Sequence, residues 1–350
     1  MITIPTFKNV HNQFQLNGFN LNKDDLCRVA YSFIKEGEDF EKPIGDFLLD
    51  WFDDKDYIEM QTSGSTGTPK TIKVDKQAMV HSALATGDYF DLKPGMKALQ
   101  CLPVKYVAGK MMLIRSIILG LDLDYVEPSS HPMQHTDATY DFVAMVPLQA
   151  QNSIVEMSRI KKLIVGGARI SKDLELELLK VPTQVYETYG MTETITHIAA
   201  KRIGEKAFTI LPHININQDD RGCLVIHAPK IIQEEEIVTN DLVEIVNENS
   251  FLFLGRLDNI INSGGVKIMP EQVEKKLDGK LDRRFFIASQ EDHDLGEKII
   301  LVVEGEPFEV ADTTFELLDK YEKPKEIYFI EKFVESENGK VLRKQNLDLV

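Results

Sequence analysis

The chain has 350 residues, 43% of them hydrophobic and 27% charged, with 21 glycines and 14 prolines. At about 150 residues per domain there is room for a large domain and a smaller one, with ample apolar material for a core, which excludes wholesale disorder and collagen-like repeats. Lys plus Arg number 40 against 56 Asp plus Glu, a net charge of −16; such a chain is a poor non-specific partner for nucleic acid or an anionic membrane, and any anionic substrate must be met by positive charge concentrated in a site.

The N-terminal segment, MITIPTFKNVHNQF, lacks the unbroken apolar core of a secretory signal, and the signals up to about residue 55 are weak, with mixed charges around Lys35 to Lys42. From there short β-rich runs alternate with helical patterns, the signature of an α/β architecture with a largely parallel sheet. Residues 57–61 read as a strand, and Asp75 caps a helix running to about Phe90. Residues 96–102 read as another strand, and 109–119 as a helix that Gly120 can end. The most apolar stretch, Met111 to Leu121, is interrupted by Arg115 and is too short to span a bilayer. Short apolar strands follow at 141–145, 162–165 and 184–187, with a helix at 171–179 before the last.

Beyond about Gly222 the pattern changes to closely spaced strands with acidic turns, ending at 251–254. Gly255-Arg256-Leu257-Asp258 then opens a fresh segment, and Pro270 with Glu271 and Glu274 marks a helix start. The predicted fold is therefore α/β: a large N-terminal domain over 1–256 with a mostly parallel sheet, and a small C-terminal α+β domain over 257–350. Cys27, Cys101 and Cys223 show no CxxC spacing, so neither a disulfide framework nor a zinc cluster is expected. His131 and His135 stand four apart without a third ligand and read as loop or surface residues. The chain reads as soluble, reduced and cytoplasmic.

Several segments carry chemistry. Residues 62–70, TSGSTGTPK, follow a predicted strand and can expose backbone N–H groups, hydroxyls and a lysine to phosphate oxygens. Pro69 stands where a Walker A loop needs its second glycine, so the loop is of another kind; a flexible surface turn is the plainer alternative. Tyr189-Gly190-Met191-Thr192-Glu193 offers an aromatic face for a base, a hydroxyl for phosphate and a carboxylate for Mg²⁺. Upstream, Gly166-Gly167-Ala168 offers a surface nearly free of side chains for a flat ring. Asn338-Gly339-Lys340-Val341-Leu342-Arg343 is a turn with an isolated lysine, which alone would be a solvated hairpin. His197 either lines a pocket or packs in the core.

Together these segments resemble the adenylate-forming superfamily of acyl-CoA synthetases, peptide-synthetase adenylation domains and luciferases. TSGSTGTPK resembles its phosphate loop, YGMTE its nucleotide motif, and VTND at 238–241 the segment whose aspartate holds the ribose. GRLDNIINSGGVKIMPEQVE resembles the hinge motif and NGKVLR the C-terminal lysine motif. The resemblance implies an ATP-dependent enzyme that uses Mg²⁺ and coenzyme A and acts on a small carboxylic acid, with the C-terminal domain as a mobile lid. Ser63, Ser65, Thr66 and Lys70 would cradle the β- and γ-phosphates, Thr192 touch the α-phosphate, and Glu193 hold Mg²⁺. Tyr189 would stack on adenine beside Gly166, Gly167 and Ala168, while Asp241 takes the ribose hydroxyls with Arg256 assisting. Lys340 would bridge the attacking carboxylate and the α-phosphate, Asp258 act as the hinge, and Gly264-Gly265 admit the coenzyme A arm.

The sequence also departs from the family. Members are usually longer, and the phosphate loop starts unusually early here, implying a reduced N-terminal region. In Leu102-Pro103-Val104-Lys105-Tyr106-Val107-Ala108-Gly109, Tyr106 replaces the usual histidine beside the acyl pocket, and the ribose segment reads Thr-Asn-Asp rather than Thr-Gly-Asp. Among the branches of the superfamily, SGGVKIMPEQVE and YGMTETITHIAAKRIG look most like the o-succinylbenzoate–CoA ligases of menaquinone biosynthesis. Tyr106 and His197 are then the acid-side candidates. A stand-alone adenylation enzyme loading another acid onto coenzyme A or a carrier protein, and a non-catalytic ligand-binding relative, are the competing expectations. No nucleic acid or membrane partner is expected, and self-association into a homo-oligomer stays open.

Overall fold

The strand Ile160–Val165 shows how the sequence builds the central sheet: Ile160, Leu163, Ile164 and Val165 are all buried. It runs parallel to Tyr140–Met145 on one side and to Gln184–Gly190 on the other. Burial on both faces is why such strands read as near-continuous apolar runs. The computed structural model describes residues 4–61, 71–232, 234, 236–335 and 341–350.

These residues fall into two units, the first made of 1–169, 177–215 and 227–237, the second of 170–176, 216–226 and 238–350. In the first unit the strand order is Phe19–Asn20, Gln15–Leu16, Asp122–Tyr125, Lys97–Gln100, Tyr140–Met145, Ile160–Val165, Gln184–Gly190, His197–Arg202 and Phe208–Ile210. Pairing is parallel from Gln15–Leu16 through Gln184–Gly190. It turns antiparallel at the outer pair and at His197–Arg202 and Phe208–Ile210. A separate hairpin joins Tyr57–Gln61 to Thr71–Asp75.

Helix Lys76–Tyr89 starts where Asp75 accepts from the Ala78 N–H at 2.6 Å, as its sequence foretells. Helix Val107–Leu119 ends on Gly120 in the left-handed conformation, φ +75°. The predicted strand at 96–102 is confined to Lys97–Gln100. The strand predicted at 184–187 runs on to Gly190 and so carries Tyr189 itself. The weakly patterned N-terminal segment holds helices Lys23–Glu36, with an Asn22–Asp25 capping box, and Lys42–Phe52. The first carries Leu26, Val29, Ala30, Phe33 and Ile34 at helical spacing, an apolar stripe that sequence reading passed over.

In the second unit, Asn215–Gln218, Cys223–His227, Ile237–Asn247 and Ser250–Arg256 lie side by side in that order. A five-stranded sheet is built from Ile261–Ser263, Val266–Ile268, Phe285–Asp292, Gly296–Glu304 and Glu326–Ile330. Helix Pro270–Leu277 packs Val273 and Leu277 onto one face of it with Ile287, Ile299 and Leu301, while Phe286, Ile300, Val302 and Phe333 fill the other. Among the described residues no helix is long and apolar enough to cross a membrane.

Gly120 combines a positive φ with a close neighbour, since a Cβ there would land on the ring of His11, whose N–H donates to Ile117 O at 3.0 Å. Gly120→Ala is expected to cost roughly 1–3 kcal/mol of unfolding free energy from backbone strain, measured by urea denaturation.

Candidate active site

The first unit gathers its candidate residues at the carboxyl ends of the parallel strands, the usual ligand position in such sheets. Gly166, Gly167 and Ala168 follow Ile160–Val165, with Gly166 N–H donating to Met145 O at 3.2 Å and Gly167 at φ +87°. A Cβ on Gly166 would run into Thr188 Oγ1, which donates to Val165 O at 3.2 Å. The adjoining strand therefore requires glycine at this position. Tyr189 comes next on that strand, half-buried, its ring 5.8 Å from that of Phe208. Phe208 also lies 4.8 Å beneath the Lys201 ammonium, which pairs with Glu187 at 2.9 Å.

The chain then folds through the single turn Thr192–Thr194. Thr194, fully buried, accepts from the Met191 N–H at 3.0 Å and thereby shapes the turn. Thr192 is partly exposed and Glu193 exposed, its carboxylate in no ion pair among the described residues. Strand His197–Arg202 returns antiparallel, placing His197 opposite Gly190. A side chain at Gly190 would collide with Thr196 O and the His197 Cα. Tyr189, Thr192 and His197 are thus brought into one short reversal of chain.

His197 is buried, and its surroundings define its protonation. Thr86 Oγ1 donates to Ser82 O at 3.0 Å, so it is an acceptor towards His197 Nε2, 3.4 Å away. That leaves His197 Nδ1 to accept, and it faces Arg115 Nη2 at 3.4 Å. Burial, and secondarily the Arg115 charge, hold the imidazole pKa well below its ordinary range, so it is neutral at pH 7.

Arg115 itself is the residue that sequence reading passed over. It is 1% exposed, and its guanidinium touches only neutral groups: Thr86 Oγ1 at 3.4 Å, Thr196 Oγ1 at 3.2 Å, Met112 Sδ at 3.7 Å and His197. No carboxylate pairs with it among the described residues. Burial pulls its pKa down to about 9, which leaves it charged at neutral pH. The available signal was a single cation inside an otherwise apolar helical run. Tyr106 caps the start of the same helix, partly exposed, with the Lys105 ammonium 4.8 Å from its ring. Helical rise separates Tyr106 from Arg115 by about 13 Å.

In the second unit Asp241, Arg256 and Asp258 do come together. Asp241 and Arg256 are cross-strand partners, 3.4 Å apart at their charged ends, and Arg256 also pairs with Asp258 at 3.1 Å. Asn240 Nδ2 donates to Asp258 at 3.3 Å, which gives a role to the residue that departs from the usual glycine. Gly264 and Gly265, at φ +60° and +81°, make the tight turn between Ile261–Ser263 and Val266–Ile268. Ser63, Ser65, Thr66, Lys70 and Lys340 lie outside the described residues; their flanks are the paired strands Tyr57–Gln61 and Thr71–Asp75, and the bridge between Glu335 and Val341. No group of three or more His, Cys, Asp or Glu that could hold a metal ion occurs among the described residues.

Comparison with known proteins adds the following. The AMP-binding enzyme family matches residues 53–214. The crystal structure of an acyl-CoA synthetase (AMP-forming)/AMP-acid ligase II-like protein from Dyadobacter fermentans is 34% identical, with 92% of this chain and 97% of that one covered and a TM-score of 0.62. A 2-succinylbenzoate–CoA ligase from Haemophilus influenzae is 26% identical over 82% of this chain and 69% of its own length. An o-succinylbenzoate coenzyme A synthetase from Bacillus subtilis, solved with ATP and magnesium ion, shares the fold at 21% identity and a TM-score of 0.73, covering 82% of this chain and 69% of that one.

The neutral burial of His197 has a measurable consequence. Below the ordinary histidine pKa of about 6.5 the unfolded chain takes up a proton that folded His197 refuses, so stability falls with acidification by up to about 1.4 kcal/mol per pH unit. His197→Gln is expected to flatten that slope between about pH 5 and 6.5, measured by urea denaturation across the range.

Proposed function

This chain belongs to the AMP-binding enzymes of the acyl-CoA synthetase (AMP-forming)/AMP-acid ligase II-like family, and from that membership we propose that it joins o-succinylbenzoate to coenzyme A in menaquinone biosynthesis. The observation that carries the choice of acid is Arg115. A buried guanidinium surrounded by neutral groups is a costly arrangement unless an anion joins it. o-Succinylbenzoate offers one carboxylate for activation and a second for such an anchor. The names and bound nucleotide of the relatives support the same reading.

The chemistry follows from the leaving group. A free carboxylate would have to expel an oxide, so it first attacks the α-phosphorus of ATP, forming acyl-AMP and releasing pyrophosphate. The coenzyme A thiol, as thiolate, then attacks the acyl carbon; the thioester forms and AMP leaves. In this reading Thr192 donates its hydroxyl towards the α-phosphate, and Tyr189 with the Gly166–Gly167–Ala168 surface sandwiches a flat base. Glu193, exposed and without an ion pair among the described residues, fits a cation that takes one carboxylate and completes its shell on phosphates and water, as Mg²⁺ does. Bound there, Mg²⁺ would neutralise phosphate charge during the transfer.

The remaining roles rest on the motif resemblance. Ser63, Ser65, Thr66 and Lys70 hold the terminal phosphates, Asp241 takes the ribose with Arg256 assisting, and Lys340 bridges acid and α-phosphate. Asp258 is the pivot of a C-terminal lid over 257–350, and Gly264-Gly265 passes the coenzyme A arm. Tyr106 stands at the acid side.

Pyrophosphate release with a panel of acids tests the substrate. o-Succinylbenzoate is expected to exceed benzoate, acetate and long fatty acids in kcat/KM, and a preference for acetate or palmitate overturns the choice of acid. Arg115→Met should lower kcat/KM for o-succinylbenzoate by about 10²-fold or more, the scale of removing one partner of a buried charge pair, while changing the weak benzoate rate far less.

The lysine is tested by separating the half-reactions. Lys340→Ala should lose acyl-AMP formation by roughly 10²–10³ yet still convert supplied acyl-AMP and coenzyme A to thioester. Equal loss in both halves would remove Lys340 from its adenylation role.

A further inference from the structure

Ile195 occupies a backbone conformation that isoleucine almost never adopts, φ +67° and ψ −58°, while only 2% exposed. The Thr196 N–H donates back to Thr194 O at 2.7 Å, closing a three-residue γ-turn of the rare, strained hand. A β-branched side chain at positive φ is an outlier that persists only where its surroundings over-determine it. Here they do. The Ile195 N–H donates to Thr192 O at 2.9 Å, and Thr194 Oγ1 lies within hydrogen-bond reach of Met191 O at 3.0 Å and Thr196 O at 2.8 Å. Beyond the turn, His197 is locked opposite Gly190, where no side chain fits.

The strain sits between two functions. One residue upstream, across Thr194, stand Thr192 and Glu193, and immediately after it Thr196 and His197, both of which face Arg115. A relaxed turn needs more chain and would move one pair relative to the other. Glycine would satisfy this φ without strain, but it would leave nothing to wedge the turn shut. The buried isoleucine side chain supplies that wedge.

We propose that Ile195 is a positioning residue, which fixes the nucleotide-side Thr192 and Glu193 at a set reach from the acid-side Thr196, His197 and Arg115. The proposal rests on the acid–CoA ligase reading above. It predicts that loosening the turn damages the adenylation step rather than the affinity for either substrate.

The test compares Ile195→Gly, Ile195→Val and a control, Leu123→Ala, which removes a fully buried leucine from the regularly paired strand Asp122–Tyr125. Pyrophosphate release gives kcat and KM, and thermal unfolding gives Tm. Ile195→Gly should lower kcat about tenfold or more, the scale of a small misplacement of reacting groups, with KM for ATP nearly unchanged. Ile195→Val should recover most of the loss. Leu123→Ala should lower Tm at least as much and leave kcat near wild type. Ile195→Ala gives the same kcat loss should the glycine variant fail to fold. Wild-type kcat in Ile195→Gly and Ile195→Ala, or a kcat loss shared equally by Leu123→Ala, overturns the proposal alone. A wild-type protein that releases no pyrophosphate with any acid overturns the ligase reading and this proposal with it.

Discussion

A guanidinium buried without a carboxylate partner among the described residues is the constraint around which the first unit is arranged. The contrast with Lys76 makes the point. Lys76 is also fully buried, but Asp53 sits 2.6 Å from its ammonium and completes an ordinary structural ion pair. Arg115 has only hydroxyls, a thioether sulfur and a neutral imidazole. Desolvation of such a cation costs several kcal/mol at about the scale known for buried ions, and packing alone offers no return for it. Recognition of an anion, the role proposed for it above, would.

That charge dictates its neighbours. His197 must stay neutral to present Nδ1 as an acceptor, and burial beside Arg115 enforces it. Thr86 and Thr196 come from different elements, a helix and the chain just before a returning strand, so the cluster forms only if the sheet changes from parallel to antiparallel after Gly190. The reversal that delivers His197 also presents Thr192 and Glu193 at its outer edge. A net charge of −16 is then no obstacle to anionic substrates, because the positive charge that matters is local and dry, where it acts at a low effective dielectric.

Much of this was legible in the sequence, for physical reasons. Strands buried on both faces announce themselves as β-branched runs, and Asp75 and Gly120 mark helix ends by capping chemistry. Glycine at 166 and 190 is demanded by close approach of Thr188 and His197, and both fell within segments picked out as nucleotide-binding. Arg115 was harder. Along the chain it only interrupts an apolar run, and whether a carboxylate meets it is a tertiary fact. Ile195 was invisible, since a β-branched residue before a strand reads as strand, and nothing local signals a left-handed φ. Helix Lys23–Glu36 was legible and was passed over: Leu26, Val29, Ala30, Phe33 and Ile34 recur at helical spacing, and Asn22 with Asp25 marks its start, but the charged residues between them dilute the apolar signal.

The network around Asp258 bears on how a pivot can coexist with a defined structure. Asp258 is held by Arg256 at 3.1 Å and by Asn240 at 3.3 Å, in contacts open to solvent. Exposed pairs of this kind contribute about 0–1 kcal/mol each, because water competes for both partners. Asp241, by contrast, is buried, and its backbone N–H is bonded to Thr239 Oγ1 at 3.1 Å. Arg256 therefore joins a firmly held carboxylate to a weakly held one. Were Asp258 the pivot proposed above, rotation there would draw on these exposed contacts, while Asp241, the proposed ribose ligand, is held by its own backbone bond. The proposed division between a ribose ligand that stays and a pivot that turns would use that asymmetry, and Asn240 adds its contact on the exposed side.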